Sequence, residues 1–340
     1  MKQSTFDVND KEHNMTLINR LSGTLIGCAA LLLGSTAALA ESYPNKEVTL
    51  LVNYGAGGGV DRTARSIQPF LPKALGQNVI VENIGGAGGK TGMKAFMARD
   101  ADGYTVLTAF APATTYGKFT TPGLFEMADL SVINVQWIDP AILLANKTTG
   151  WNSLADMVAY AKENPGKVTF SSSGKGSVGP ILARALFRAL DIKIKMVPYK
   201  GGGAARKAFA AGEVQLTAAG AGGAARVKDK AIALGLFSEP NTSADWPNAP
   251  SINAQLKRMN VTVPEGGAYR FFAVHSDVKK NHPERYETLV NAFEDTVTRN
   301  QEFLDTAAKS KVGTDWFGPK ASQALIEKID AEFTYILKSE

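Results

Sequence analysis

From residue 44 onward, short apolar runs bounded by glycine, proline or asparagine alternate with stretches whose apolar positions recur at helical spacing. Val48–Val52 reads as a buried strand, Val60–Leu75 as a helix with Pro72 close to its end, and Asn78–Glu82 as a second strand. Gly85–Gly92 is a glycine loop leading to a helix over Met93–Ala98. Asp102-Gly103 marks a turn, and Tyr104–Thr108 is a third strand. This β-α-β-α-β order predicts a largely parallel sheet with helices on both faces. A polar loop follows around Pro112–Pro122, then strand material at Val132–Val135 and Ala141–Ala145. A helix is expected over Leu154–Glu163, with Ser153 as its N-cap. A second series has strands Val168–Phe170, Lys195–Val197 and Val214–Ala218 interleaved with helices Pro180–Leu190 and Ala204–Ala211, through loops Ser171–Gly179 and Pro198–Gly203. Strands at Ala231–Phe237 and Tyr269–Val274 and helices over Pro283–Thr298 and Ala321–Leu337 complete the pattern. Two β/α series with a late return segment predict an α/β protein of two lobes joined by crossing strands. One lobe is 41–141 plus 263–340; the other is 142–262.

The length, 340 residues, accommodates two ordinary domains, and 44% hydrophobic with 20% charged residues is the balance of a globular chain with a real core. The net charge of +5 favours anionic partners only mildly. No lysine-arginine run with interleaved aromatics is present, so a nucleic-acid partner is not expected. The N-terminus changes the picture more. Arg20, the apolar and small residues Leu25–Ala40 and the Ala38-Leu-Ala40 site have the anatomy of a secretory signal peptide over 1–40, with Glu41 as the first mature residue. Met1–Asn14 is an unusually polar lead, so Met15 is an alternative start. Leu25-Ile-Gly-Cys28 resembles a lipoprotein site, but cleavage there would leave only Leu21–Gly27 as an apolar segment; cleavage after Ala40 is preferred. The exported product then has no cysteine, hence no disulfide and no thiol chemistry.

Four glycine-bearing loops follow strands. In the first, Gly55-Ala56-Gly57-Gly58-Gly59 opens a helix carrying Asp61, Arg62 and Arg65. A helix start has N–H groups without internal partners and about half a positive charge, so this loop suits a carboxylate or a phosphate. A dinucleotide fingerprint fails because Val60 stands where its third glycine belongs. In the second, Gly89-Lys90-Thr91 matches the end of a P-loop, but Ile84 replaces the required glycine and no strand ending in aspartate follows to hold magnesium. A tight turn allowing helix and sheet to approach is the better reading. The third, Ser171–Gly179 before Pro180, is either a second anion cradle or an ordinary serine-capped helix start. The fourth, Val197-Pro198-Tyr199-Lys200-Gly201-Gly202-Gly203, offers a ring and a charge that are otherwise surface features. His275 and His282 have no metal-ligand spacing, no G-x-S-x-G elbow is present, and Asp61, Glu82 and Asp102 have no visible carboxylate partner; neither a metal, a cofactor nor an enzyme activity is expected.

Together, Tyr43-Pro44-Asn-Lys46, Gly57-Gly58-Gly59-Val60-Asp61 with Arg65, Gly76-Gln77-Asn-Val-Ile-Val-Glu82-Asn83, Gly85-Gly-Ala87-Gly88-Gly89-Lys-Thr-Gly92, Asp102-Gly103-Tyr104-Thr105, Val197-Pro198-Tyr199-Lys200-Gly201 and Ala211-Gly212-Glu-Val214 resemble the Bug-type receptors of tripartite tricarboxylate transporters. The resemblance covers essentially the whole chain after Tyr43. It implies a two-lobed periplasmic binding-protein fold of the second type that holds a small carboxylate in the interlobe cleft without catalysis. It implies that Tyr54, Gly55, Ala56, Gly57, Gly58, Gly59 and Asp61 grip one carboxylate, largely through backbone N–H groups and water. Ala109, Phe110 and Ala111, with Ser172, Ser173, Gly174, Lys175, Gly176 and Ser177, and with Tyr199, Lys200, Gly201 and Gly202, would line the remainder. The sequence departs from the pattern at Ala218-Ala219-Gly220, where many members carry an aspartate able to bind a ligand ammonium; this argues against an amino-acid ligand. Asn53 replaces a usual proline, and Lys175 adds a charge to the third loop. The expectation is a monomeric periplasmic receptor delivering a di- or tricarboxylate to membrane transporter subunits. An exported enzyme acting on a small anion and a receptor serving a signalling protein are the alternatives.

Overall fold

The computed structural model describes residues 42–174 and 176–338. The signal-peptide and Cys28 readings, and Lys175, lie outside the described residues. The elements are β1 (Val48–Val52), α1 (Gly59–Ile67), α2 (Leu71–Leu75), β2 (Val79–Asn83), α3 (Lys90–Met97), β3 (Thr105–Ala111), α4 (Ala113–Thr120), β4 (Leu130–Asn146), α5 (Leu154–Glu163), β5 (Thr169–Ser172), α6 (Val178–Ala189), β6 (Lys195–Pro198), α7 (Gly201–Ala210), β7 (Leu216–Gly220), α8 (Ala221–Ala224), β8 (Ala231–Leu236), α9 (Ile252–Leu256), β9 (Gly267–His275), α10 (Ser276–Asn281), α11 (Pro283–Arg299), α12 (Gln301–Ser310) and α13 (Gly318–Lys338).

Two groups of parallel strands share one long strand. β2, β1 and β3 are parallel neighbours, as are β6, β5 and β7. The expected parallel character holds within each group but not between them. β9 runs antiparallel to β3, and β4 runs antiparallel to β9 through Pro140↔Gly267. From Ala141 the same strand instead takes β7 and β8 as antiparallel partners. The chain returns here: Phe237 donates its N–H to the Ala141 carbonyl at 2.8 Å, and Ala141 donates to Gly266 at 3.0 Å. The β1–β3/β9 side and the β5–β8 side thus form two halves that share β4.

β4 is a single strand of 17 residues where the sequence pattern gave two separate pieces. Its alternation is hidden because Asn134, Gln136, Asp139 and Asn146 are buried among the apolar residues. Its ladder to β9 slips twice, between Val132 and Asn134 and between Val135 and Trp137. A bulge leaves backbone groups unpaired, and burial requires new partners for them. α13 supplies them: Val132 N–H donates to Gln323 Oε1 and Val135 N–H to Ser322 Oγ, both at 2.9 Å.

The helix expected over Val60–Leu75 is broken into α1 and α2. Pro72 lacks the N–H that would continue the helical ladder and sits in the first turn of α2, a position where that loss is harmless. The polar stretch read as a loop around Pro112–Pro122 contains α4, whose Thr114, Thr115 and Gly117 are buried. Lys118 on α4 bonds Asp330 on α13 at 2.6 Å, tying the C-terminal helix to this half. The core runs through both halves, with Phe96, Phe170, Phe271 and Phe333 all essentially inaccessible.

Candidate functional site

The first glycine loop is shaped by Asp61. This residue is only 3% exposed, and both its oxygens are occupied. Oδ2 accepts the Gly57 N–H at 2.8 Å; Oδ1 accepts Arg65 Nε and Asn83 Nδ2, each at 2.9 Å. Asn83 also donates to the Tyr54 carbonyl at 3.1 Å, so the end of β2 holds the loop from below. Gly57 adopts φ +80°, a conformation that glycine enters without strain. Asp61 therefore builds the loop, and its own carboxylate is spent within it. The N–H groups of Gly59, Val60 and Asp61 form the first turn of α1, where no intrahelical acceptor exists, and Gly58 as N-cap offers no side chain.

The second glycine loop is packing, as its failed P-loop pattern implies. A Cβ on Gly92 would lie 2.5 Å from the Cα of Asn53, and one on Gly89 would lie 2.8 Å from the Tyr54 hydroxyl. Tyr54 donates that hydroxyl to the Gly88 carbonyl at 2.6 Å and packs its ring on Phe110, with centroids 5.2 Å apart. Ala109 and Ala111 are fully buried, so of these three only Phe110 has accessible surface. In the β3–β9 register Phe110 stands opposite Arg270.

Arg270 is the residue that the sequence reading missed. It is 8% exposed, within an otherwise apolar strand. Its Nη2 bonds Asp139 Oδ2 at 3.1 Å, and its guanidinium lies over the Trp137 ring at 3.8 Å from the centroid. A Cβ on Gly59 would lie 2.6 Å from Nη2, so the guanidinium rests directly against the start of α1. Its Nη1 is buried with no partner. Burial pulls the Arg270 pKa below the ordinary arginine value, while Asp139 opposes that shift.

Asp139 connects this group to the other half. Its Oδ1 accepts the Gly222 N–H at 2.9 Å. A Cβ on Gly220 would lie 2.3 Å from Oδ2. Gly220 thus makes room for an aspartate from β4, and that carboxylate is already paired with Arg270. Three more arginines lie in this region. Arg62 on α1 lies over the same Trp137 ring at 5.0 Å. Arg206 on α7 lies beside Gly202 and Gly223, 3.0 and 3.6 Å from where their Cβ atoms would be. Arg226 follows α8. Burial, then Arg270 and Arg226, hold the Arg62 pKa below its ordinary value; burial, then Arg226 and Arg62, do the same for Arg206. Asp139 opposes both shifts.

The third loop also reaches this region. A Cβ on Gly179 would lie 2.2 Å from the Ala218 carbonyl oxygen, so the start of α6 is pressed onto the end of β7. Ser177 is the N-cap of α6, donating its hydroxyl to the Ser173 carbonyl at 3.3 Å and its N–H to Gly174 at 3.1 Å. Ser172 is nearly buried and uses its carbonyl to accept the Tyr199 N–H. Gly176 meets Tyr116 of α4, where a Cβ would lie 2.6 Å from the ring, so the halves touch here. In the fourth loop, Gly201 and Gly202 open α7 beside Arg206, and Lys200 is exposed. Tyr199 is directed elsewhere: its ring packs on the apolar cluster with Phe209 and Val214, and its hydroxyl donates to Glu213 at 3.4 Å. Only the pattern of a charged residue inside the apolar run Tyr269–Val274, and of Asp139 before Pro140, carried a signal for the missed pair.

Comparison with known proteins gives this geometry a context. A family model described as the tripartite tricarboxylate transporter family receptor, TctC, matches residues 63–309. A UPF0065 protein of Agrobacterium vitis is 35% identical over 188 residues, covering 55% of this chain and 54% of that protein. BugT of Bordetella pertussis is 31% identical over 195 residues, covering 56% and 59%. The chain thus spans little more than half the length of these curated relatives. Among solved structures, the periplasmic binding protein BugD superposes with a TM-score of 0.73 at 22% identity, covering 87% of this chain and 98% of that one. MatC of Rhodopseudomonas palustris, solved with malate, gives 0.72 at 20% identity, covering 86% and 99%. The fold is that of the two-lobed periplasmic binding proteins, and the family match over residues 63–309 establishes that the chain belongs to the tripartite tricarboxylate transporter family of receptors.

Proposed function

We propose that this chain is an exported solute receptor that captures a small di- or tricarboxylate between its two lobes and delivers it to the membrane subunits of a tripartite tricarboxylate transporter, without transforming it. The carrying observation is the meeting of the first turn of α1 with the buried Arg270 guanidinium, whose Nη1 has no partner. Free N–H groups at a helix start and a desolvated guanidinium are both donor sets for a carboxylate, and a charge-assisted bond in such a place contributes about 1.5–3 kcal/mol. Asp61 shapes the loop, Tyr54 and Phe110 wall it, and Ser172, Ser173, Gly174, Gly176 and Ser177 with Gly201 and Gly202 bring the second half to the ligand. Malate in MatC and adipate in a second structural neighbour are ligands of this size and charge. A thermal-shift screen against a carboxylate library tests the reading. Ligand at 100 times its dissociation constant stabilises the folded state by about 2.7 kcal/mol, a resolvable shift. Absence of any carboxylate hit, or turnover of a hit, would reject it.

A further inference from the structure

The arginine cluster has more positive charge than one carboxylate at the α1 start requires. Arg270 bonds Asp139, Arg62 shares its Trp137 ring, Arg206 lies beside Gly223 of the helix whose Gly222 bonds Asp139, and Arg226 is close enough to Arg62 and Arg206 to lower the pKa of both; both oxygens of the Asp139 carboxylate are already bonded. Among the described residues, Arg62, Arg206 and Arg226 form no ion pair, and Arg62 Nε is buried without a partner. The cluster is also divided by topology. Arg62 on α1 and Arg270 on β9 belong to one half; Arg206 on α7 and Arg226 after α8 belong to the other. The two sets meet around α8, whose Gly222 touches Trp137 and Asp139 while Gly223 touches Arg206.

We propose that these four arginines form a charge gate: the halves close fully only around a polyvalent anion that neutralises them, so the number of charges on the ligand, more than its carbon skeleton, sets selectivity. The physical basis is direct. Bringing Arg206 and Arg226 toward Arg62 and Arg270 places like charges in one partly desolvated region, where their repulsion is far less screened than in water. A monovalent anion held at the start of α1 leaves most of that repulsion in place. A ligand with anionic groups beyond the one held by α1 reaches Arg206 and Arg226 and converts repulsion into bridging. A conformational equilibrium shifts only by the difference in ligand affinity between its states, and here that difference scales with ligand charge.

This inference rests on the carboxylate-receptor reading, and the test separates the two. Affinities are measured by calorimetry at low salt for propionate, succinate and propane-1,2,3-tricarboxylate, with inorganic phosphate as a skeleton-free anion. The proteins are wild type, Arg226→Gln and Arg206→Gln; Arg226 is exposed, so that variant is expected to fold. In wild type we expect at least a tenfold gain for each added carboxylate. In either variant we expect the gain from succinate to the tricarboxylate to collapse to threefold or less, with propionate affinity kept or raised because one of the repelling charges is gone. Equal affinity of wild type for succinate and the tricarboxylate, or equal losses for all three ligands in the variants, would overturn the gate and leave the carboxylate reading intact. Phosphate binding without binding of any carboxylate would reject the carboxylate reading and the gate with it, because ligands of equal or higher charge would then be refused. Binding of none of the four probes would overturn both.

Discussion

Replacing Asp61 by alanine separates loop building from ligand contact. The carboxylate accepts three hydrogen bonds, from Gly57 N–H, Arg65 Nε and Asn83 Nδ2. Bonds to a charged acceptor contribute about 1.5–3 kcal/mol each. The Gly57 and Asn83 bonds are sheltered and count at that value. The Arg65 side chain is 52% exposed, so its ion pair is screened and adds at most about 1 kcal/mol. The expected loss of folding stability in Asp61→Ala is therefore about 3–7 kcal/mol, less what water regains by entering the relaxed loop. Urea unfolding of the ligand-free protein measures it, and calorimetry on the folded fraction should show affinity falling at least tenfold as the α1 start loses its shape. A stability loss below about 1 kcal/mol, combined with a large loss of affinity, would refute the reasoning, because it would mean that the carboxylate acts on the ligand and not on the loop.

Gly59→Ala places a methyl group against the Arg270 guanidinium, which Asp139 and Trp137 hold in place. Overpacking of this kind costs about 1–3 kcal/mol, read as a lowered midpoint in thermal unfolding with weakened carboxylate binding. Asp139→Leu leaves Arg270 buried without its partner and should cost about 3–5 kcal/mol. The double variant Asp139→Leu/Arg270→Met should regain most of that stability while losing ligand binding, as a denaturant series with calorimetry would show. At the start of α5, the backbone N–H of Asn152 and then the Ser153 side chain hold the Asp156 pKa below 3.8. Its contribution to stability is therefore present above that value and is lost as pH falls through the lower folded value. Asp156→Asn should flatten the acid limb of the stability–pH profile below about pH 4.

What was legible in the sequence were the features with local causes. Val48–Val52 is a strand because a short apolar run ends at glycine, and α5 begins after Ser153 because the capping box of Ser153 and Asp156 needs only four residues. The first loop was legible for the same reason. Asp61 was legible as a residue of that loop, but what it does there was hidden, because its partner Asn83 arrives from β2 and only the parallel pairing of β1 and β2 brings it there. Arg270 was illegible for a stronger reason. Read alone it interrupts an apolar run, and what makes it a site residue is Asp139, 131 positions earlier, together with Gly59 on a third element. β4 was divided because its buried polar residues have partners, Asp315 and Phe317 for Asn134 and Arg270 for Asp139, that no local pattern announces.

The position of Asp139 bears on how closure and recognition are joined. β4 changes partners between Pro140 and Ala141, and Pro140 has no N–H to pair. If the halves rotate about this strand, groups carried on it move least and groups on separate loops move most. Asp139 lies next to the change and is bonded to both halves, to Arg270 on one and Gly222 on the other. Those bonds are short levers and survive a rotation that would separate Gly176 from Tyr116, a contact between a loop of one half and a helix of the other. On that rotation the Asp139–Arg270 pair would be a fixed reference at the pivot, holding one guanidinium against the α1 start as the halves move. In the proposed gate Arg206 and Arg226 belong to the half that carries α7 and α8, so the ligand charge they meet would be read as the halves close. Selection by charge and the commitment to close become the same event, and a variant that removes charge from the moving half alters which ligand closes the protein without disturbing the place where that ligand first docks.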